Sequence, residues 1–93
     1  MTVARPKPRK AVVQHECLED LRYWVDTNRK MALRVLDLMD AVLRDPYSGL
    51  GKPEHLKHFG GNVWSRRINE VDRLVYEVFD ERVEFLQARY HYA

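Results

Sequence analysis

Glu54 stands in the segment Gly51-Lys52-Pro53-Glu54, between cations, with Lys57 three residues on and His58 beside it. Downstream come Arg67, Arg73 and Arg89, and then His91, two residues from the end of the sequence. Cleavage of RNA by side chains alone needs three things. A base must take the proton of a ribose 2′-hydroxyl, cations must meet the charge on the pentacovalent phosphorus, and an acid must protonate the leaving 5′-oxygen. Glu54, the arginines with Lys57, and His91 match these roles in that order. Each residue also has an ordinary reading: an exposed glutamate as a solvated charge, a strand histidine near a terminus as a structural group. The combination is what points to phosphoryl chemistry.

The elements that must position these residues follow from periodicity. Lys10–Gln14 is a short apolar run that predicts a first strand. From Glu16, Leu18, Leu21, Trp24 and Val25 recur at helical spacing and predict one apolar stripe. Asp26-Thr27-Asn28 then breaks the pattern and offers cap residues for a second helix. Ala32, Val35, Leu36, Met39, Val42 and Leu43 are its expected buried face, and it should stop near Asp45 because of Pro46. Residues 46–62 hold two prolines and four glycines and read as a long loop, a length usually kept for function. Beyond it, Val63–Asn69, Arg73–Phe79 and Val83–Tyr92 alternate with period two and predict a three-strand antiparallel meander. The expected fold is α+β: a strand, a helical hairpin and the meander, forming one small sheet with both helices on one face.

Strand alternation sorts the side chains by face. Trp64, Arg66 and Ile68 fall together, as do Leu74, Tyr76 and Val78, and as do Leu86, Ala88, Tyr90 and Tyr92. The opposite face collects Ser65, Arg67, Arg73, Arg89 and His91, a candidate phosphate site. Val75, Val83 and Phe85 share that parity, so a twist, a bulge or a subunit contact is required to account for them. Trp64 reads as core, with stacking on a base as the alternative.

The 93 residues carry a formal charge of +2, unevenly spread. Residues 1–9 form a basic tail that reads as flexible, ahead of a single domain over 10–93. Residues 44–73 hold six Lys/Arg against four Asp/Glu, a bias suited to an anionic partner or, more simply, to a solvated loop. One cysteine, Cys17, excludes an internal disulfide framework and suits a reducing, cytoplasmic setting. No apolar run has the length of a membrane span or an export signal. His15, His55 and His58 lack zinc-ligand spacing with Cys17 or a carboxylate, so neither a metal nor a cofactor is expected.

Four blocks, Gly51-Lys52-Pro53-Glu54-His55-Leu56-Lys57-His58, Trp64-Ser65-Arg66-Arg67-Ile68, Arg73-Leu74-Val75-Tyr76 and Arg89-Tyr90-His91-Tyr92, occur in this order. Together they resemble the YoeB group of toxins in the RelE/ParE superfamily, over about Ala11 to Tyr92. The resemblance implies a toxin of a type II toxin–antitoxin system, a ribosome-dependent mRNA endoribonuclease acting in the A site. It would leave a 2′,3′-cyclic phosphate and a 5′-hydroxyl, form homodimers, and be neutralised by a YefM-type antitoxin. Operator DNA would be met only through the toxin–antitoxin complex. By motif, Glu54 resembles the general base, His91 the general acid and Arg73 the transition-state cation. Lys57 and Arg67 resemble phosphate-binding cations, and Tyr92 a substrate-positioning residue. The alternative is a ParE-like gyrase poison that acts by binding alone, against which Glu54 and His91 argue. The chain departs from the family pattern in its basic tail, in the glycines of His58–Asn62, and at Asp72, where the family commonly has histidine. A carboxylate beside Arg73 is expected to pair with it and reduce its availability to phosphate.

Overall fold

The computed structural model describes residues 9–90. Strand β1 (Lys10–Val13) leads into helix α1 (His15–Thr27) and helix α2 (Arg29–Arg44), followed by β2 (Glu54–His55), a single 3-10 turn (Lys57–Phe59), β3 (Val63–Arg67), β4 (Arg73–Val78) and β5 (Arg82–Gln87). The strands form one sheet in the order β1-β5-β4-β3-β2. The meander β3-β4-β5 is antiparallel as expected, and β2 extends it antiparallel along β3. β1 returns to the far edge and runs parallel to β5, with Ala11 opposite Val83 and Val13 opposite Phe85. A parallel pair cannot be joined by a tight turn, and here everything from α1 to β4 lies between β1 and β5. No helix among the described residues is long and apolar enough to cross a membrane.

The hairpin turns where the polar break lies. Asn28 caps α2, its side-chain oxygen accepting from the Met31 amide at 3.4 Å, while its own amide closes α1 onto the Trp24 carbonyl at 2.7 Å. α2 ends at Arg44, and Asp45 is extended (φ −154°, ψ 104°) as a residue before proline prefers. The main core lies between the hairpin and one sheet face. Cys17, Trp24, Ala32, Val35, Leu38, Met39 and Val42 pack there on Ile68, Leu74, Tyr76, Val78, Val83, Phe85 and Ala88.

Three expectations are corrected. Leu18, Val25 and Leu36 are 55%, 45% and 47% exposed, while Cys17 and Leu38 are fully buried; the buried stripe runs through Val35, Leu38 and Val42, three and four residues apart. The last strand ends at Gln87 instead of reaching Tyr92, and residues 88–90 bend away. The simple parity of that strand also fails. Val75 pairs with Gln87 and Tyr76 with Phe85, so Leu86 is the extra residue of a β-bulge. The bulge carries Val83 and Phe85 to the helix-facing core with Ala88 and turns Leu86 to the far face. There Leu86 packs on a smaller cluster of Leu56, Val63 and Val75, which accounts for Val75 sharing a parity with the arginines.

Candidate active site

The far face of the sheet is where the chemistry-bearing residues meet. In the ladder Glu54 lies opposite Ser65, Ser65 opposite Val75, and Arg67 opposite Arg73. Glu54, Ser65, Arg67 and Arg73 therefore share one face, and Glu54 is one strand across and two residues along from Arg67. Diagonal neighbours of this kind have Cα atoms about 7–8 Å apart, within reach of long side chains. Glu54 and Arg67 are exposed and Ser65 is buried. The even-spaced register of β2, a strand of only two residues, is what brings the carboxylate to the arginines. No periodicity betrays so short a strand, and the sequence reads it as loop.

The loop leading to Glu54 is built by a residue that sequence parity placed on the core side without a role. Arg66 is fully buried. Its Nε donates to the Tyr76 hydroxyl at 3.1 Å, Nη1 to the Leu50 carbonyl at 2.9 Å, and Nη2 to the carbonyls of Asp45 and Ser48 at 2.5 and 3.0 Å. The Tyr76 hydroxyl passes on a bond to the Pro46 carbonyl at 2.7 Å. A buried guanidinium is tolerated only when its donors are filled, and here it is the template on which residues 45–50 fold. The signal in sequence was a charged residue between Trp64 and Ile68 on the apolar parity. Asp45 and Ser48 complete the loop through a 2.6 Å side-chain bond, which together with the Tyr47 amide holds the Asp45 carboxyl below its ordinary range. At its end the Gly51 carbonyl accepts from the Arg67 amide at 2.7 Å. Gly51 has φ +87°, and a Cβ there would lie 2.7 Å from Leu38 Cδ2, so the close approach of loop to α2 requires glycine.

Arg73 is held from below. Its Nη1 donates to the carbonyls of Asn69, Glu70 and Asp72, at 3.0, 3.2 and 3.3 Å. The Asp72 carboxylate turns elsewhere: Oδ1 accepts from the Tyr90 amide at 2.8 Å and Oδ2 from Asn69 Nδ2 at 3.0 Å. The expected carboxylate–Arg73 pairing is thus replaced by anchoring of the guanidinium on main-chain carbonyls. Arg34, given no role in the sequence reading, reaches from α2 to the Arg67 carbonyl at 3.1 Å and adds a cation beside the end of β3.

Lys57 and His58 lie on the 3-10 turn just after β2 and are exposed; the His58 ring rests 4.6 Å from that of Phe59. Arg89 is not brought to this face. Its guanidinium carbon sits 3.5 Å from the Tyr23 ring centre on α1 and 4.7 Å from that of Tyr90, because the bulge and the bend after β5 break the alternation that grouped it with Arg67. Trp64 is partly buried against the main core, stacked at 5.0 Å on His55 and donating to the Asn62 side chain at 2.8 Å. His91 and Tyr92 lie outside the described residues, as does the basic tail up to residue 8. Arg9, the last residue assigned to the tail, donates from Nε to the Phe79 carbonyl at 2.8 Å.

Residues 13–92 match the family model described as YoeB-like toxin of bacterial type II toxin-antitoxin system. The chain belongs to the YoeB-like toxins. The match takes in every candidate residue from Glu54 to Tyr92. Toxin RelK of Mycobacterium tuberculosis is 47% identical over 74 residues, 80% of this chain and 87% of RelK. Among solved structures, the YoeB dimer from Staphylococcus aureus superposes with a TM-score of 0.84 at 32% identity, covering 92% of this chain and all of that one. The YoeB-YefM complex from the same organism gives 0.79 at 33% identity, with the same coverage. The arrangement of helical hairpin and antiparallel meander is accordingly that of the RelE/ParE superfamily, to which the YoeB-like toxins belong.

Proposed function

We propose that the chain is a ribosome-dependent mRNA endoribonuclease that cuts in the A site by side-chain acid–base chemistry. The observation that carries this reading is the ladder register that sets Glu54 on one sheet face with Arg67 and Arg73. Glu54 takes the proton of the ribose 2′-hydroxyl, and the 2′-oxygen attacks the adjacent phosphorus. Arg73 and Arg67, with Lys57, meet the negative charge on the phosphorane. His91 gives its proton to the departing 5′-oxygen as the P–O5′ bond breaks. The products are a 2′,3′-cyclic phosphate and a 5′-hydroxyl. Tyr92 positions the substrate and His58 touches the RNA strand. Arg89, directed to the Tyr23 ring on α1, is left out of the phosphate-binding set of this reading.

Membership in a toxin–antitoxin family supports a YefM-type antitoxin as the inhibitory partner, and the YoeB dimer of Staphylococcus aureus supports a homodimer in this chain too. The site of action is the cytoplasm, where translating ribosomes are found. The test is cleavage of a translated mRNA on purified ribosomes by wild type and Glu54→Gln. General bases contribute about 10²–10⁴-fold, so the variant should cut at least 100-fold more slowly. Cleavage within threefold of wild type would remove Glu54 from the mechanism.

A further inference from the structure

We infer that Asp72 is a positioning residue that fixes the backbone of Tyr90, the residue immediately before His91. The inference rests on the proposed role of His91 as proton donor. After β5 the ladder ends at Gln87, yet the main-chain groups of Ala88 and Tyr90 are bonded. The Ala88 amide donates to Asp20 Oδ2 at 3.0 Å and its carbonyl accepts from Trp24 Nε1 at 2.7 Å, which fastens the segment to α1. Two residues on, both main-chain groups of Tyr90 are taken, one by Asp72 in the turn between β3 and β4 and one by Arg73, the first residue of β4. The Tyr90 amide donates to Asp72 Oδ1 at 2.8 Å, and its carbonyl accepts from the Arg73 amide at 3.1 Å. Between these bonds Tyr90 has φ +69°, a left-handed conformation that a bulky L-residue rarely adopts without outside constraint. The residue is 58% exposed, so packing of the ring is a weak source of that constraint.

The same turn is self-braced. Asn69 Oδ1 accepts from the amides of Val71 and Asp72 at 2.8 and 2.7 Å, and Asn69 Nδ2 donates to Asp72 Oδ2. The carbonyls of Asn69, Glu70 and Asp72 are the ones that hold the Arg73 guanidinium. Asp72 therefore joins the candidate transition-state cation to the residue that immediately precedes the candidate acid. A carboxylate suits this duty because it offers one oxygen to each neighbour, Tyr90 and Asn69, and competes with neither for a donor.

The test compares wild type, Asp72→Ala and the isosteric Asp72→Asn in multiple-turnover cleavage on ribosomes, with kcat and KM separated. A second substrate carries bridging sulfur in place of the 5′-oxygen at the mapped scissile phosphate. Sulfur leaves as a thiolate and needs no proton, so a defect in delivering the proton disappears on it. Asp72→Ala should lose about 10- to 100-fold in kcat on the oxygen substrate, part of what a general acid contributes, with KM nearly unchanged and the thio substrate cut at wild-type rate. Asp72→Asn keeps an acceptor for the Tyr90 amide but sets its NH2 against Asn69 Nδ2, and should recover part of the loss. Equal kcat for wild type and Asp72→Ala would overturn the proposal. So would an Asp72→Ala defect of the same size on both substrates, which would mark a merely structural role, or an Asp72→Asn defect as large as that of alanine. Wild type that cuts neither substrate would instead sink the ribonuclease reading on which the proposal stands.

Discussion

At the scale of single residues, two arginines adjacent in sequence do opposite work. Arg67 is exposed beside Arg73, while Arg66 is buried and spends its donors on four oxygens that shape the approach to Glu54. Removing a buried charge that makes four hydrogen bonds leaves carbonyls without donors, each of which costs about 1–3 kcal/mol. Arg66→Met should therefore lower the unfolding free energy by about 3 kcal/mol in urea titration. It should also slow cleavage although Arg66 touches no substrate, because residues 45–50 lose their template. A stability change below about 0.5 kcal/mol, the range of ordinary surface substitutions, would contradict the role given to this side chain. Arg67→Ala should behave in the reverse way, sparing stability and weakening phosphate contact.

At the scale of elements, α1 is the strut that ties the hairpin to the end of β5. Its Asp20 and Trp24 both bond Ala88, and its Cys17 is fully buried in the core. Burial, with the negative charge of Asp20 adding to it, pushes the Cys17 thiol from 9.0 up to about 12. The group is raised on folding, so its contribution to stability is complete below the unfolded value near 9 and is lost as pH rises toward about 12. In that window the slope from one such group approaches about 1.4 kcal/mol per pH unit. Cys17→Ala should be less stable at pH 7 through the cavity it leaves, yet should lose stability more gently than wild type between pH 9 and 11. Parallel curves for the two proteins in thermal melts across that range would refute the assignment.

Much of this architecture was legible from spacing. The helical hairpin, the three-strand meander and the face shared by Ser65, Arg67 and Arg73 follow from periods of 3.6 and two. What escaped is what depends on distant partners. The parallel pairing of β1 with β5 leaves no local mark, and a two-residue β2 has no period at all. The bulge at Leu86 inverts the faces beyond it, which is why Arg89 left the predicted cluster for Tyr23. Asp72 was read against its neighbour Arg73, whereas its carboxylate bonds Asn69 and Tyr90, the latter 18 residues away.

At the scale of the whole molecule, the net charge of +2 is small, and attraction to the ribosome must come from local clusters. Arg67 and Arg73 lie opposite each other at the end of β3, where Arg34 bonds the Arg67 carbonyl, and Lys57 lies on the turn after β2, beside the start of β3. Each phosphate contact releases counterions, so affinity falls linearly with the logarithm of salt. Arg67→Ala should weaken ribosome binding at all salt concentrations and reduce that slope by about one contact. An unchanged slope in a titration from low to physiological salt would remove Arg67 from the phosphate-binding set.

Transphosphorylation of ribosome-bound mRNA by Glu54, the arginines and His91 can be read from both new ends of the cut message. Wild type should produce a single cut within the A-site codon, with a 2′,3′-cyclic phosphate on one fragment and a 5′-hydroxyl on the other. The cut should require the ribosome and disappear in His91→Ala protein that melts like wild type. A 5′-phosphate and a 3′-hydroxyl at the cut, or undiminished cleavage by His91→Ala, would contradict the account.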